Sequence, residues 1–257
     1  MIWWEALILG IVQGASEFLP ISSSGHLLLL EKLGVGVESM PFNIAVHVGT
    51  LVAVLIAMRK RVFALVKRPF QKLTGYILIA SAPTVALALL FKFAFPDLLD
   101  GKLLGFGFVL TACLIYAGEN LKSTKSALLT PKISALTGVM QGIAVLPGVS
   151  RSGATISALT LQGVDKTTAA DFSFLLSIPI IIGSALMEGA GLIKDEMPAD
   201  IGALPLIIGT AAAFISGLIA ITAFLKLIKS RSLLPFAVYT LLLGLTVTLL
   251  PLFGVNI

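Results

Sequence analysis

The apolar residues of this chain form long runs with few polar positions between them. Six runs are long enough to cross a membrane, which takes about 20 apolar residues; they lie near residues 40–58, 73–95, 103–121, 168–191, 203–225 and 233–253. Two further apolar regions, near 3–31 and 132–163, are interrupted at their centres by proline, glycine and serine. The pattern predicts six transmembrane helices and two broken helical segments.

Composition agrees with an all-α polytopic membrane protein. Hydrophobic residues make up 57% of the chain and charged residues 12%, and the mean hydropathy is +1.04, values that a water-soluble domain does not reach. Residues 1–19 do not read as a cleavable signal, because they lack a basic start and polar residues interrupt the apolar run. The single cysteine, Cys113, excludes an internal disulfide and most thiolate metal sites.

The two interrupted segments are copies of each other. GIVQG at 10–14 matches GVMQG at 138–142, and LPISSSG at 19–25 matches LPGVSRSG at 146–153 with one residue slipped. In a chain of 257 residues this is a duplication of the whole length, with repeat 1 at about 1–125 and repeat 2 at about 126–257. Each repeat is predicted to be one re-entrant helix hairpin followed by three transmembrane helices.

Charge predicts how these elements are oriented. If each hairpin returns to the side it entered from, four loops share one side and carry thirteen of the eighteen basic residues: Arg59, Lys60, Arg61, Lys67, Arg68, Lys72, Lys122, Lys125, Lys132, Lys166, Lys226, Lys229 and Arg231. The other side has Lys32, Lys92, Lys102 and Lys194 beside seven acids: Glu31, Glu38, Asp97, Asp100, Asp195, Glu196 and Asp200. The positive-inside rule places the basic loops in the cytoplasm. The net charge of +5 therefore reflects topology and does not indicate a nucleic-acid partner.

An odd number of spans per repeat inverts the second repeat relative to the first. The two hairpin tips then enter from opposite faces and meet near the midplane, as in many transporters. Irregular backbone at that depth is tolerated only where it is buried in protein or lines a wet cavity. The fold class predicted is therefore two inverted-topology repeats around a polar centre.

The tips carry the residues that predict chemistry. In each, a helix ends before a proline and serines begin the next helix, whose N–H groups and dipole favour an anion. Arg151 is the one basic residue outside the loops; at membrane depth it costs about 2.5–3.5 kcal/mol, and its planar guanidinium suits phosphate oxygens. Glu17 and His26 can hold a metal ion or move protons. The sequence predicts an anion site with an acid and a base.

Structural roles compete with this interpretation. Glu17 could be a structural carboxylate, His26 a capping residue and Arg151 a brace between the repeats, but their joint appearance at matched positions favours a site. Asn43 and His47, one turn apart on the first span, are predicted to make interhelical hydrogen bonds. Four other polar residues receive only structural roles or none. Asp171 is expected to interact with a helix dipole, Glu119 and Asn120 are expected to end a helix, and Glu188 has no predicted role.

The two motifs, GIVQGASEFLPISSSGH at 10–26 and LPGVSRSGAT at 146–155, closely resemble those of the undecaprenyl-diphosphatase (bacitracin-resistance) family of bacterial membrane phosphatases. The resemblance covers essentially the whole chain. It implies hydrolysis of undecaprenyl diphosphate to undecaprenyl phosphate and phosphate with a divalent cation, Mg²⁺ or Ca²⁺. This activity recycles the lipid carrier for cell-wall polymers and confers bacitracin resistance. The family's acidic motif accepts Glu or Gln where this chain has Gln13, so Glu17 is its only carboxylate here.

The resemblance also implies the site residues. Glu17, Ser23, His26 and Arg151 are expected to be catalytic, with Glu17 as the metal ligand. Eight residues are expected to bind substrate: Gln13, Ser22, Ser24, Gly25, Gly148, Ser150, Ser152 and Thr155. Ser23 is favoured as the nucleophile with His26 as its proton acceptor, while attack by His26 itself or by water stays open.

The expected partners are a polyprenyl diphosphate lipid and the membrane, with a homodimer left open. Charge bias places the site at the periplasmic or outer face of the bacterial cytoplasmic membrane. The alternative function is a lipid-phosphate flippase or small-anion transporter built on the same inverted repeat.

Overall fold

The computed structural model describes residues 1–37, 39–121, 126–194 and 201–253, without the side chains of 190–194 and 252–253. These residues form α-helices and two short 3-10 turns, with no β-strand among them, so the all-α prediction is confirmed. Six charged residues used above to predict topology lie outside the described residues: Glu38, Lys122, Lys125, Asp195, Glu196 and Asp200. The helices are α1 (Trp3–Phe18), α2 (Ser23–Lys32), α3 (Met40–Ala57), α4 (Arg59–Lys67), α5 (Lys72–Ala94), α6 (Leu104–Asn120), α7 (Pro131–Ile143), α8 (Arg151–Leu161), α9 (Lys166–Lys194), α10 (Ala203–Leu227) and α11 (Leu234–Leu249).

The six predicted spans correspond to α3, α5, α6, α9, α10 and α11. Four of these, α3, α5, α9 and α10, are long and apolar enough to cross a membrane. The other two, α6 with 17 residues and α11 with 16, are shorter apolar helices. At 1.5 Å per residue they are about 25 Å long, a little less than a hydrocarbon core of about 30 Å. They pack against each other, and a Cβ on Gly244 would lie 2.8 Å from Val109 N.

Both interrupted segments fold as hairpins that return to the end they started from. In the first, α1 packs against α2, and Leu27 of α2 shares a buried cluster with Ala6 and Leu9 near the start of α1. In the second, the chain before α7 and the chain after α8 are joined by a hydrogen bond from Ala127 N to Gly163 O at 2.9 Å. Each hairpin therefore places its tip inside the molecule.

Each hairpin packs its first helix against the other half of the chain. α1 lies along α10, and α7 lies along α5. Glycines allow both approaches: a Cβ on Gly10 would lie 2.9 Å from Ala212 Cβ, and one on Gly138 would lie 2.7 Å from Ala80 C. Real Cβ atoms do not come that close, so the matched GIVQG and GVMQG sequences act as packing faces where helices touch backbone to backbone.

One end of the molecule holds the basic loops. Lys166, the first residue of α9, donates to both oxygens of Glu119 at the end of α6, at 2.7 and 2.8 Å. Leu233 N donates to Glu119 Oε1 at 2.9 Å. Asp171 forms an ion pair with Arg61. Glu119 and Asn120 end α6, as expected, and Asp171 lies in the second turn of α9. Glu119 and Asp171 in addition join separate elements, which the sequence did not predict. The segment 59–72, expected to be a loop, contains helix α4.

Candidate functional site

The two hairpin tips start their second helices in the same way. Ser22 caps α2 by accepting a hydrogen bond from Gly25 N at 3.3 Å, and Ser150 caps α8 by accepting one from Gly153 N at 3.1 Å. Ser22 has φ +72°, a left-handed conformation that is uncommon for a residue with a side chain. The caps fix the first turns of α2 and α8, where backbone N–H groups and the helix dipole favour an anion.

A polar cluster joins the tips. Glu17 Oε1 accepts from Arg151 Nη2 at 2.6 Å, and the exposed fractions of these two side chains are only 8% and 14%. The other carboxylate oxygen, Oε2, accepts from Ser23 Oγ at 2.6 Å and from Gln13 Nε2 at 3.1 Å. Four residues that the sequence assigned to the site therefore meet at one carboxylate. A pair so poorly exposed must be well hydrogen-bonded, because desolvation opposes burial of either charge.

Further contacts hold the second tip against its neighbours. Ser152 Oγ donates to Leu19 O at 3.1 Å, and Thr155 Oγ1 lies 2.7 Å from Ser173 Oγ on α9. Arg151 Nη1 donates to Ser173 O at 3.4 Å. Ser152 and Thr155, expected to bind substrate, are buried here in contacts between helices.

Gly25 and Gly148 let the two tips touch. A Cβ on Gly25 would lie 2.8 Å from Gly148 Cα, and Gly148 has φ +88°. Thr111 on α6 fixes this turn, since its Oγ1 donates to Gly148 O at 2.9 Å and accepts from Ser150 N at 2.8 Å. Thr111 could not be predicted from the sequence, because a threonine inside an apolar span most often hydrogen-bonds within its own helix.

A cavity of about 340 Å³ lies beside the cluster. The tips line it with Glu17, Ser22, Ser23, Ser24, Ser150 and Arg151, while α3 and α9 contribute Asn43, His47, Ser184 and Glu188. Apolar walls come from Leu27 and Leu28 of α2 and from Ile180 and Ile181 of α9. The cavity reaches Glu31 near the end of α2, so it extends toward the end of the molecule where the first hairpin enters. It combines a site for an anion with apolar surface.

His26 makes hydrogen bonds with residues other than Ser23 and Glu17. Its Nδ1 is 2.7 Å from Ser22 O, and its Nε2 is 2.7 Å from Tyr239 Oη on α11. The ring also stacks on Tyr239 with centroids 5.7 Å apart. The expected pairing of Ser23 with His26 is not made in this structure, where the Ser23 hydroxyl donates to Glu17 instead.

His47 and Asn43 are closer to the cluster than their sequence context indicated. His47 Nδ1 lies 2.7 Å from Asn43 O within the same helix, rather than reaching another helix, and both residues line the cavity. The Oδ1 atom of Asn43 is buried with no hydrogen-bond partner. Their spacing of four residues on one helical face was the available signal, and Glu188, which had no predicted role, lines the same cavity.

The residues around Glu17 fit a divalent cation only with help from the substrate. The Gln13 Oε1 atom is buried with no hydrogen-bond partner, next to the Glu17 carboxylate that accepts from Gln13 Nε2. Amide and carboxylate oxygens are ligands of Mg²⁺ and Ca²⁺. Within the described ranges, no three His, Cys, Asp or Glu side chains are placed to hold a metal ion. A cation here would take at most the Glu17 carboxylate and the Gln13 amide oxygen from the protein, and Mg²⁺ often takes its remaining ligands from phosphates and water.

The fold and the cavity define a class: an integral membrane protein whose buried polar site accepts an anionic group next to apolar surface. The chain belongs to the family described as bacitracin resistance protein BacA, which matches residues 6–246. An undecaprenyl-diphosphatase of Carboxydothermus hydrogenoformans is 40% identical over 256 residues, covering 98% of each chain. Undecaprenyl-diphosphatase 4 of Bacillus thuringiensis is 38% identical, covering 96% of each. An undecaprenyl-diphosphatase of Treponema denticola is 39% identical over 94% of this chain and 95% of its own.

Proposed function

We propose that this protein is a membrane phosphatase that hydrolyses undecaprenyl diphosphate to undecaprenyl phosphate and inorganic phosphate. The reaction recycles the lipid carrier for peptidoglycan and other cell-wall polymers and confers bacitracin resistance. Family membership over nearly the whole chain supports this activity, as do relatives named undecaprenyl-diphosphatase. The transport alternative is not favoured by these matches. The single structural observation that carries the proposal is the Ser23–Glu17–Arg151 cluster at the meeting point of two helix N-termini.

The diphosphate binds between the tips. The first turns of α2 and α8 offer N–H groups to its oxygens, and Arg151 offers the guanidinium N–H groups that Glu17 does not use. The lipid end lies along the apolar wall formed by Leu27, Leu28 and Ile181. A site of this kind stabilises the charge that builds up on the transferred phosphoryl group.

Ser23 is the nucleophile and Glu17 takes its proton, since Ser23 Oγ already donates to Glu17 Oε2 at 2.6 Å. Oγ forms a bond to the terminal phosphorus, and the bond from that phosphorus to the bridging oxygen breaks, which releases undecaprenyl phosphate. Glu17 passes the serine proton to the departing phosphate oxygen of undecaprenyl phosphate and is ionised again. Water then attacks the phosphoserine while Glu17 accepts a proton from it, and Glu17 returns that proton to Ser23 Oγ as the bond from phosphorus to Oγ breaks and phosphate leaves. This assignment replaces His26 as proton acceptor with a residue already in contact with the hydroxyl.

The proposal includes a divalent cation, Mg²⁺ or Ca²⁺, which Glu17 and Gln13 would hold. When bound, it neutralises negative charge on the diphosphate. The protein's own part is to keep Glu17 beside Ser23 and Arg151, and Gln13 supports this by donating to Glu17. His47 and Glu188 line the same cavity and are available to the substrate there.

The site serves the periplasmic or outer face of the bacterial cytoplasmic membrane. Two features support this orientation. The cavity extends toward the end where the first hairpin enters. The opposite end carries the basic loops, including Arg59, Lys166 and Lys229, and the positive-inside rule assigns such loops to the cytoplasm.

The test is phosphate release from undecaprenyl diphosphate by detergent-purified protein. Wild type is expected to release phosphate and Ser23→Ala to be inactive, while Thr222→Ala, which removes an exposed hydroxyl on α10 outside the cavity, is expected to keep the activity. An inactive wild type that moves labelled lipid phosphate across vesicles would instead establish transport.

Trapping with labelled diphosphate and an acid quench tests the nucleophile. Phosphoserine survives acid and phosphohistidine does not, so acid-stable label on Ser23 is expected. Label on His26 that survives only in alkali would contradict the assignment. Turnover without a trappable label would point to direct attack by water.

A further inference from the structure

A second polar cavity lies at the opposite end of α3 and α9 from the site. Its volume is about 330 Å³, and its charged lining is Arg59, Lys60, Arg61, Asp171 and Lys229. Met58 lines this cavity and His47 lines the first one. Eleven residues along α3 correspond to about 17 Å, so the two cavities are about that far apart. Among the described residues none lines both cavities, so the second is separate from the site of the proposed hydrolysis.

The charges of this second cavity do not balance. Arg61 forms an ion pair with Asp171, the one acid among the described residues that line the cavity. Three basic side chains, Arg59, Lys60 and Lys229, then face the cavity without a further acid in that part of the lining. Such a concentration of positive charge favours binding of an anion.

Helix α4, which begins at this cavity, carries exposed apolar side chains. Phe63 is 67% exposed, Val66 74% and Phe70, just after the helix, 102%. No residue of α4 is buried; three basic residues begin the helix, five apolar residues follow, and Lys67 ends it. A short basic, apolar helix between two membrane-spanning helices is typical of a segment that lies in the lipid interface.

We propose that this cavity and α4 bind the headgroup of an anionic phospholipid. Its phosphate lies among Arg59, Lys60 and Lys229, and its acyl chains cover Phe63 and Val66. A free phosphate ion would use only the cavity and leave the apolar side chains of α4 exposed, so the lipid accounts for both observations. Zwitterionic lipids would bind less well, because their own cation opposes the three basic groups.

The test uses the full chain in vesicles of phosphatidylcholine and phosphatidylglycerol. Trp3→Phe and Trp4→Phe remove the two native tryptophans, and Phe63→Trp places a reporter on α4. Phosphatidylglycerol with brominated chains is expected to quench the reporter at least about two-fold more than the same fraction of brominated phosphatidylcholine. Equal quenching by the two lipids would overturn the proposal.

Two charge variants locate the effect. Arg59→Gln, Lys60→Gln and Lys229→Gln together are expected to abolish the preference, while Lys32→Gln, Lys92→Gln and Lys102→Gln, which remove equal charge at the other end, are expected to keep it. A preference that survives the first set would place the lipid elsewhere, and loss of the preference in excess inorganic phosphate would identify a phosphate-ion site. Phosphate release in detergent should be unchanged by the first set, which separates this proposal from the hydrolysis.

Discussion

At the scale of single residues, the Glu17–Arg151 pair has both a chemical and a mechanical function. Each partner belongs to a different hairpin, and both side chains are largely withdrawn from solvent. Removing one partner leaves the other charge uncompensated, which typically costs about 3–5 kcal/mol. Loss of activity in a single variant therefore cannot by itself separate catalysis from bracing, and stability has to be measured alongside turnover.

Arg151→Lys tests whether the guanidinium shape matters. Lysine keeps the charge but donates from a single nitrogen, so it cannot replace the planar fork that reaches Glu17 and phosphate from separate nitrogens. Turnover should therefore fall at least about tenfold, equivalent to about 1.4 kcal/mol of transition-state stabilisation. Phosphate release and the midpoint of thermal unfolding are measured together. Near-normal turnover in Arg151→Lys would refute the two-sided contact, and near-normal turnover in Arg151→Ala would refute the site.

Glu17→Gln tests the carboxylate and the cation. Ser23 would lose its charged acceptor, and the cation would lose its only carboxylate, so we expect almost no activity and a higher cation concentration for half-maximal rate. Chelation of the cation should abolish wild-type activity.

Two further variants serve as controls for Glu17→Gln. Gln13→Glu should remain active, because the family motif accepts either residue. Glu17→Gln combined with Arg151→Gln removes both buried charges and should recover stability but not turnover. Unchanged metal dependence in an active Glu17→Gln protein would remove Glu17 from the metal site.

Residue types were easier to predict than the contacts they make. The repeat pointed to Glu17 and Arg151, because unlike residues at matched positions of a duplication indicate divergence toward a function. Their hydrogen bond to each other joins positions 134 residues apart, and no local pattern encodes that. His26 was expected to accept the proton of Ser23, but its ring is held by Tyr239, which is 213 residues away in sequence.

At the scale of helices, the apolar runs predicted the spans well, because a membrane-spanning helix can be recognised from its length and composition alone. Helix α4 was missed, since the basic cluster at its start reads as a loop when charge alone is considered. Gln13 and Gln141 occupy matched positions in the two repeats but have different partners. Gln13 donates to Glu17, whereas Gln141 donates to Oγ1 of Thr84 on α5 at 3.1 Å. One repeated residue thus serves the site in the first copy and helix packing in the second.

Gly138→Ala tests the packing of α7 on α5. The added methyl group would lie 2.7 Å from Ala80 C, a backbone atom that cannot rotate away. Overpacking of this kind typically costs about 1–3 kcal/mol, so the unfolding midpoint in detergent should fall. Gly183→Ala on α9 is the matched control, because nothing lies within 4 Å of its added Cβ and alanine favours a helix. Equal midpoints for the two variants would contradict close contact between α7 and α5.

At the scale of the whole molecule, orientation in the membrane is the main prediction. On a Cys113→Ser background, Val37→Cys and Asp97→Cys should react with a membrane-impermeant thiol reagent in cells whose outer membrane surface is accessible. Lys67→Cys, Ser126→Cys and Lys229→Cys should react only after the membrane is opened. Labelling at 67 with protection at 97 would invert the protein and move the site to the cytoplasm. Labelling at both 97 and 126 would rule out the re-entrant hairpins.

The packing of α1 on α10 has a consequence for the order of assembly during synthesis. Gly10 and Gly209, which face each other, are separated by about 200 residues, and at about 5–20 residues per second the ribosome needs roughly 10–40 s to cover them. Helix α7 meets α5 as soon as it emerges, because α5 has already been made. The first hairpin must instead stay in the bilayer until α10 has been made, with the face of α1 that carries Gly10 not yet packed against α10. Two similar hairpins therefore mature at different times, and the one that carries Glu17 and Ser23 docks last.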